Sequence, residues 1–471
     1  MTEKILQFGT GRFLRAFADC FIDEAISSNR YDGQIVMVAS TPSGRLELFN
    51  HKNGRYHLWT RGVGPDGLIN TLSSVNAVNR VMSANTQWDE VVRLGENPHL
   101  EAVISNTTEV GLSLLEPDDL SLPKSFPGRL CALLYGRAKY FDYSPSKGLV
   151  VLPCELIEQN GNLLRTLITK QATRWQLGDQ FLNWLTHSVI FCNTLVDRIV
   201  PGLPEETELE NTYLQLGYRD ELLTVCEPYR LWAIEGDREL QEKLVFLQNA
   251  GGIVVTPDIE PYRIRKVRIL NGGHSLFVPI GFLAGCETVL DSMNHPNVRR
   301  FVESLLRDEI GPALPVNLDT VPPYIDEVLQ RWQNPYMHHR LTDIMMQSTT
   351  KLRHRVVPTV VDYYDQHPDG PAPKLISLGF AGWFYSMRGF RNADEVHSHS
   401  SSYPFPDDYQ EDFNQRWPFD KLLLRKFVDS ILSDEDYWGT SLTVFPGFVE
   451  TVHRYLQTII NDGVAPLLND T

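Results

Sequence analysis

The sequence predicts an α/β protein in which a mostly parallel sheet domain is followed by a mainly α-helical domain. Three observations carry this. Short apolar strands alternate with helix-periodic stretches up to about residue 260, the pattern of a parallel sheet covered on both faces. Beyond that point the strand signal fades and long helical stretches take over. The chain has 471 residues, more than one hydrophobic core usually organises. The division falls near 258–261, giving domains 1–258 and 259–471.

The first element is a buried strand at Ile5–Phe8, followed by a tight turn at Gly9-Thr10-Gly11. Phe13, Ala16, Phe17, Cys20 and Phe21 then recur on one helical face, Asp32-Gly33 closes that segment, and Gln34–Ala39 supplies a second strand, completing a βαβ unit. Residues 47–61 read as a small hairpin around Lys52-Asn53-Gly54, and 75–95 as mixed helix. Further strands fit Glu101–Ser105, ending at Asn106-Thr107-Thr108-Glu109, then Gly148–Pro153 and Ser188–Asn193. In the second half, helices are expected over 267–285, 297–310, 324–333, 340–362 and 374–388, with a polar, aromatic-rich loop at 391–418.

Composition narrows the function classes. Lys and Arg number 43 against 59 Asp and Glu, a formal charge of −16, which argues against nonspecific attraction to nucleic acid or to an anionic membrane. No run approaches the roughly 20 apolar residues of a spanning helix. The first residues leave no room for a cleaved leader, so a cytoplasmic location is expected. Six cysteines (Cys20, Cys131, Cys154, Cys192, Cys226, Cys286) lie far apart, with no C-x-x-C pair and no histidines at zinc spacing, so no metal site is expected.

Four segments have the residue types that chemistry needs. Gly9-x-Gly11 stands between a strand and a helix, where bare backbone lets a pyrophosphate approach helix N–H groups; Leu14 replaces the third glycine of that fingerprint, and a plain strand-to-helix turn explains the pair equally. Ser40-Thr41 ends the second strand where an acidic ribose-binding residue often sits; Arg45 follows, so NAD and NADP both remain open. The stretch KVRILNGGHS spaces Lys266, Asn271 and His274 so that on an α-helix Asn271 and His274 lie roughly 60° apart and Lys266 roughly 80° from His274. A lysine against low-dielectric walls can exchange a proton with a hydroxyl while Asn and His polarise the oxygen; ordinary polar helix residues have the same spacing. Finally, Asn193-Thr194 at a strand end precedes Asp197-Arg198, a site or a structural ion pair.

Together these segments resemble the long-chain polyol and uronate dehydrogenase family, whose best known member is mannitol 2-dehydrogenase. The N-T-x-V-D-R-I-x-P stretch at Asn193–Pro201 is similar to its signature, Lys266-x4-Asn271-x2-His274 to its catalytic motif, and Gly9-x-Gly11-x-Phe13-x-Arg15 to its cofactor turn. The resemblance covers essentially the whole chain. It implies a Rossmann-like N-terminal domain and zinc-independent hydride transfer using NAD(H). The cofactor residues would be Gly9, Gly11, Arg12, Phe13, Ser40, Thr41, Asn106 and Thr107. Lys266 would be the general acid and base, Asn193 and Asn271 would donate to the developing alkoxide, and His274 would hold a neighbouring hydroxyl.

Within the family, QFGTGRFLRAF, SNTTEVG, LPCELIEQNG and NPYMHH are similar to the branch that interconverts tagaturonate and altronate. Polyol-oxidising relatives tend to place an acid three residues before the lysine, where this chain has Arg263, and Lys351-x-Arg353-x-Arg355 falls where the family builds part of its substrate pocket. Arginine grips a carboxylate in a bidentate fork, so a small sugar acid is the expected partner. Asn193 is the residue of polyol members, which keeps fructuronate/mannonate and fructose/mannitol as alternatives. A noncatalytic dinucleotide- or sugar-binding protein is the alternative of another class. Oligomeric state is not legible.

Overall fold

The computed structural model describes residues 2–40, 45–64, 66–107, 111–388, 406–418 and 420–470. The chain divides into two compact units, Met1–Ile259 and Glu260–Thr471.

Among the described residues the first unit contains twelve strands: β1 (Thr2–Phe8), β2 (Gly33–Ala39), β3 (Tyr56–Gly64), β4 (Gly67–Val75), β5 (Val78–Ser83), β6 (Ala102–Ser105), β7 (Val150–Pro153), β8 (Ile190–Phe191), β9 (Thr194–Asp197), β10 (Thr224–Cys226), β11 (Leu231–Glu235) and β12 (Ile253–Thr256). Six form one sheet in the order β5-β2-β1-β6-β7-β8, with every neighbouring pair parallel. Such a sheet must be covered on both faces, and the alternation of its side chains shows that it is. Ile5, Ile35, Met37, Ile104, Val150 and Leu152 enter one buried cluster, while Leu6, Phe8, Val36, Val38, Val103 and Val151 enter another. The strand order reverses between β1 and β6, and ligands of doubly wound sheets bind at the carboxyl ends flanking such a reversal.

Several expectations are corrected. Residues 45–51 are a helix, Arg45–His51, because Asn53 and Gly54, with φ of 51° and 74°, end a helix here instead of turning a hairpin; the Gly54 N–H closes back on Phe49 O at 2.8 Å. The antiparallel hairpin lies later, between β3 and β4. The 75–95 stretch begins with β5 before its helix, Trp88–Leu94. The fifth strand shrinks to Ile190–Phe191, and Asn193 leads into β9 in a separate sheet, antiparallel to β11.

The second unit is helical. The expected helix 340–362 is three pieces, Leu341–Met345, Ser348–Arg355 and Val357–Gln366, the first break marked by left-handed Gln347. Helices Gly273–Leu283 and Lys374–Met387 are buried almost all round, as core helices are. Glu309 accepts the N–H groups of Leu375 and Ile376 at 2.9 and 2.8 Å, satisfying orphan donors at the start of the latter. Trp383, Trp438, Phe380 and Phe448 pack ring on ring there. Of the expected loop 391–418, residues 391–405 lie outside the described residues and Gln410–Arg416 is a helix. Among the described residues no helix is long and apolar enough to cross a membrane.

Candidate active site

In the first unit, Gly9 follows β1 with φ +128°, and a Cβ there would press on Asn106 O at 3.2 Å. At Gly11 a Cβ would meet nothing within 4 Å, so bare backbone faces open space where the helical segment Arg12–Arg15 begins. Leu14, in place of a third glycine, is buried in the core. Gln7 donates to Gly9 O at 3.2 Å, and Phe13 stacks on Phe17 at 5.0 Å, fixing the turn from both sides. Asn106 lies across the strand-order reversal, its N–H donating to Phe8 O at 3.2 Å. Thr107 follows it, and Ser40 follows the last residue of β2. A turn with glycine at positions 9 and 11, at the carboxyl end of β1 and beside that of β6, fits a dinucleotide phosphate. Thr41, Thr108, Glu109 and the side chain of Arg45 lie outside the described residues.

Asn193 is buried and held on three sides. Its Oδ1 accepts the Asn162 N–H at 3.0 Å, its Nδ2 donates to Glu235 Oε2 at 2.8 Å, and its carbonyl accepts the Glu235 N–H at 2.8 Å. The amide is thus oriented, with one of its two N–H bonds engaged. Arg198 donates to the carbonyls of Glu227 and Ala16 at 3.0 and 2.6 Å, a structural role that joins the strand end to the first helices.

In the second unit the Lys266 motif lies on a π-helical turn, Lys266–Gly272, that runs into the helix Gly273–Leu283. The α-helical angles expected from spacing therefore do not apply: i→i+5 bonds widen the turn and lessen the rotation per residue, and such turns concentrate at functional sites. A Cβ at Gly272 would approach Arg355 O to 3.0 Å, so glycine lets the end of helix Ser348–Arg355 sit against the motif. Lys266 and Asn271 are half-buried.

His274 is buried, and its Nε2 has no hydrogen-bond partner among the described residues. Burial above all, then the charges of His339, Arg355, Arg331 and Lys351, pushes its pKa well below the usual imidazole value. At neutral pH it is an uncharged ring with a donor and an acceptor, enclosed by Trp332 at 4.7 Å, His339 at 5.3 Å and Phe277 at 5.6 Å between ring centres. Burial, and next the nearby Arg355, pushes the Lys351 ammonium down to about 8; its Nζ donates to Ile344 O at 2.8 Å.

The bases of the 351–355 stretch separate by helix geometry. Lys351 and Arg355, four residues apart, lie roughly 40° apart around the helix, and Arg353 roughly 160° from each. Arg353 accordingly turns away and donates to Asp436 O at 3.0 Å. Arg263 forks onto Glu260 of its own helix, its Nε at 2.7 Å from Oε2. Arg331, three residues before NPYMHH, and His339, the last residue of that segment, were missed by sequence reasoning. Their only signal was a cluster of bases around a segment with family likeness.

Among the described residues no three His, Cys, Asp or Glu side chains gather to hold a metal ion. All six cysteines are free and buried.

Two domain families match the chain in succession. The Mannitol dehydrogenase Rossmann domain family matches residues 3–246, and the Mannitol dehydrogenase C-terminal domain family matches 258–460. The chain is 35% identical to altronate oxidoreductase of Halalkalibacterium halodurans, over 98% of this chain and 92% of that one. It is 36% identical to altronate oxidoreductase of Cronobacter sakazakii, over 99% and 97%. Among solved structures, the fold is similar to Pseudomonas fluorescens mannitol 2-dehydrogenase in ternary complex with NAD and D-mannitol (21% identity, TM-score 0.70, 100% and 94% covered). It is also similar to a substrate-free D-sorbitol dehydrogenase (21% identity, TM-score 0.77, 98% and 94% covered). With both domain families matched in order over nearly its full length, the chain belongs to the mannitol dehydrogenase family and is a dehydrogenase acting on CH–OH groups.

Proposed function

We propose that the protein interconverts a keto-hexuronate and its sugar acid, with tagaturonate and altronate as the pair, by hydride transfer using NAD(H) and without zinc. The observation that carries this reading is the surround of His274, a neutral buried ring with an unpartnered nitrogen amid the positive charge of Arg331, Lys351 and Arg355. In a chain of net charge −16, such a concentration of cations suits an anionic substrate.

Gly9, Gly11, Arg12, Phe13, Ser40, Asn106 and Thr107 would hold the dinucleotide, which supplies the hydride acceptor or donor when bound. Lys266 gives a proton to the carbonyl oxygen in reduction and takes it back in oxidation. Asn271, with Asn193 as the first unit's candidate, donates to the oxygen as charge develops on it. His274 offers its free nitrogen to a neighbouring hydroxyl. Lys351 and Arg355 take the carboxylate, which orients the carbonyl for attack. Arg263, already paired with Glu260, is a weaker candidate for that contact, and Arg353 is displaced from it.

The test is side-by-side consumption of NADH and NADPH by the purified protein with tagaturonate, fructuronate and fructose. NADH with tagaturonate should give the highest kcat/KM. Preference for fructose would overturn the carboxylate reading, and preference for NADPH the cofactor assignment.

A further inference from the structure

Glu155 lies two residues past the end of β7 and is almost wholly buried, at 2% exposure, and the proposed chemistry gives it no role. Its carboxylate is not idle. Oε1 accepts the Thr107 N–H at 2.9 Å and the Thr107 hydroxyl at 3.1 Å, and Oε2 accepts the Ser105 hydroxyl at 3.1 Å. Between these two residues, Asn106 is tied through its N–H to the end of β1 and through its side chain to Cys154 O. The loop at the end of β6 is therefore suspended from the ends of both neighbouring strands. The Glu155 backbone is fixed in turn, its carbonyl accepting Asn160 Nδ2 at 3.0 Å.

Burying a carboxylate is costly unless several donors meet it. Burial raises the Glu155 pKa, and the Thr107 and Ser105 hydrogen bonds oppose that rise. An apolar residue would plug the space more cheaply if filling were all that mattered. What a carboxylate adds is direction: three donors of one loop are aimed inward, which leaves the outer edge of Asn106–Thr107 in one conformation at the strand-order reversal, where ligands of such sheets bind.

We propose that Glu155 is a positioning residue for the dinucleotide, holding Asn106–Thr107 in the conformation that receives it. The proposal rests on the cofactor reading above. Glu155 touches no reacting atom, so its loss should weaken dinucleotide binding and leave the sugar site alone.

The test compares the wild-type protein with E155Q, E155D and S105A, titrating NADH by its fluorescence and measuring KM for NADH, KM for tagaturonate and kcat separately. E155Q turns an amide donor toward Thr107 or Ser105 and should raise the NADH Kd and KM about tenfold, the equivalent of one charge-assisted hydrogen bond. The KM for tagaturonate and kcat at saturating NADH should change less than about twofold on the same scale. E155D should recover part of the affinity. S105A removes one donor only and should raise the NADH Kd by a smaller factor; it carries the test if E155Q fails to fold. Unchanged NADH affinity in a folded E155Q, or in S105A when E155Q does not fold, overturns the proposal, as does a loss confined to tagaturonate KM. Failure of the wild-type protein to bind NADH overturns the cofactor reading and the proposal with it, a result distinct from the others.

Discussion

Replacing Asp19 by Asn should make the first unit more stable at pH 8 and change little at pH 4. Asp19, in the helix Ala18–Ser27, is wholly buried and accepts the Tyr56 hydroxyl at 2.7 Å; that hydroxyl is also 2.8 Å from Arg15 O. Its other oxygen and the Oε1 of Gln7 beside it both lack a partner in the interior. Burial outweighs these contacts and raises the carboxyl pKa from 3.8 to about 7. Protonation removes the buried charge from Asp19, and an Asn amide is uncharged at every pH.

The sign follows from linkage. The folded state keeps this proton from about pH 4 to pH 7, where the unfolded chain has released it, so the wild-type protein loses stability as pH rises through that window. At about 1.4 kcal/mol per pH unit the full loss is about 4 kcal/mol, of which about 2.7 kcal/mol falls between pH 5 and pH 8. Equilibrium urea unfolding at several pH values measures it as the difference between wild type and D19N, because other titrating groups cancel. A difference that stays constant from pH 4 to pH 8 would refute the assignment of a protonated Asp19.

Three further outcomes concern the proposed site. K266A should lose roughly 10²- to 10⁴-fold in kcat, the usual share of a general acid, while NADH titration shows unchanged binding. R355M should raise the KM for a hexuronate roughly 10- to 100-fold with little effect on fructose; R353M should leave both within about twofold, since Arg353 is spent on Asp436 O. The Lys351 cation disappears as pH rises through about 8, so hexuronate KM should climb above that pH in the wild-type protein and stay flat in K351R, read from initial rates across the pH range.

The sheet was legible because its strands are short apolar runs buried on both faces, and a turn of Gly9 and Gly11 after the first of them leaves few other readings. Asn53-Gly54 misled because left-handed residues serve a helix end as readily as a hairpin. The 351–355 bases were read as one patch, although a helix must send the middle one away from its neighbours; knowing the element was enough to sort them. Arg331 and His339 were invisible as site residues because what brings them to His274 is tertiary packing. Glu155 was invisible for the same reason: nothing near it in sequence announces that Ser105 and Thr107 will aim at it.

The π turn at Lys266–Gly272 gives the motif a property that no substitution table captures. Relative to a regular α-helix it contains one residue too many, so the orientation of Lys266 is stored in a residue count as well as in residue types. Deleting a single apolar residue such as Val267 would let the segment relax into an ordinary helix and swing Lys266 by roughly 100° against His274, with every proposed catalytic side chain still present. Insertions and deletions here should therefore be far less tolerated than replacements, and any design that borrows the motif has to borrow its length.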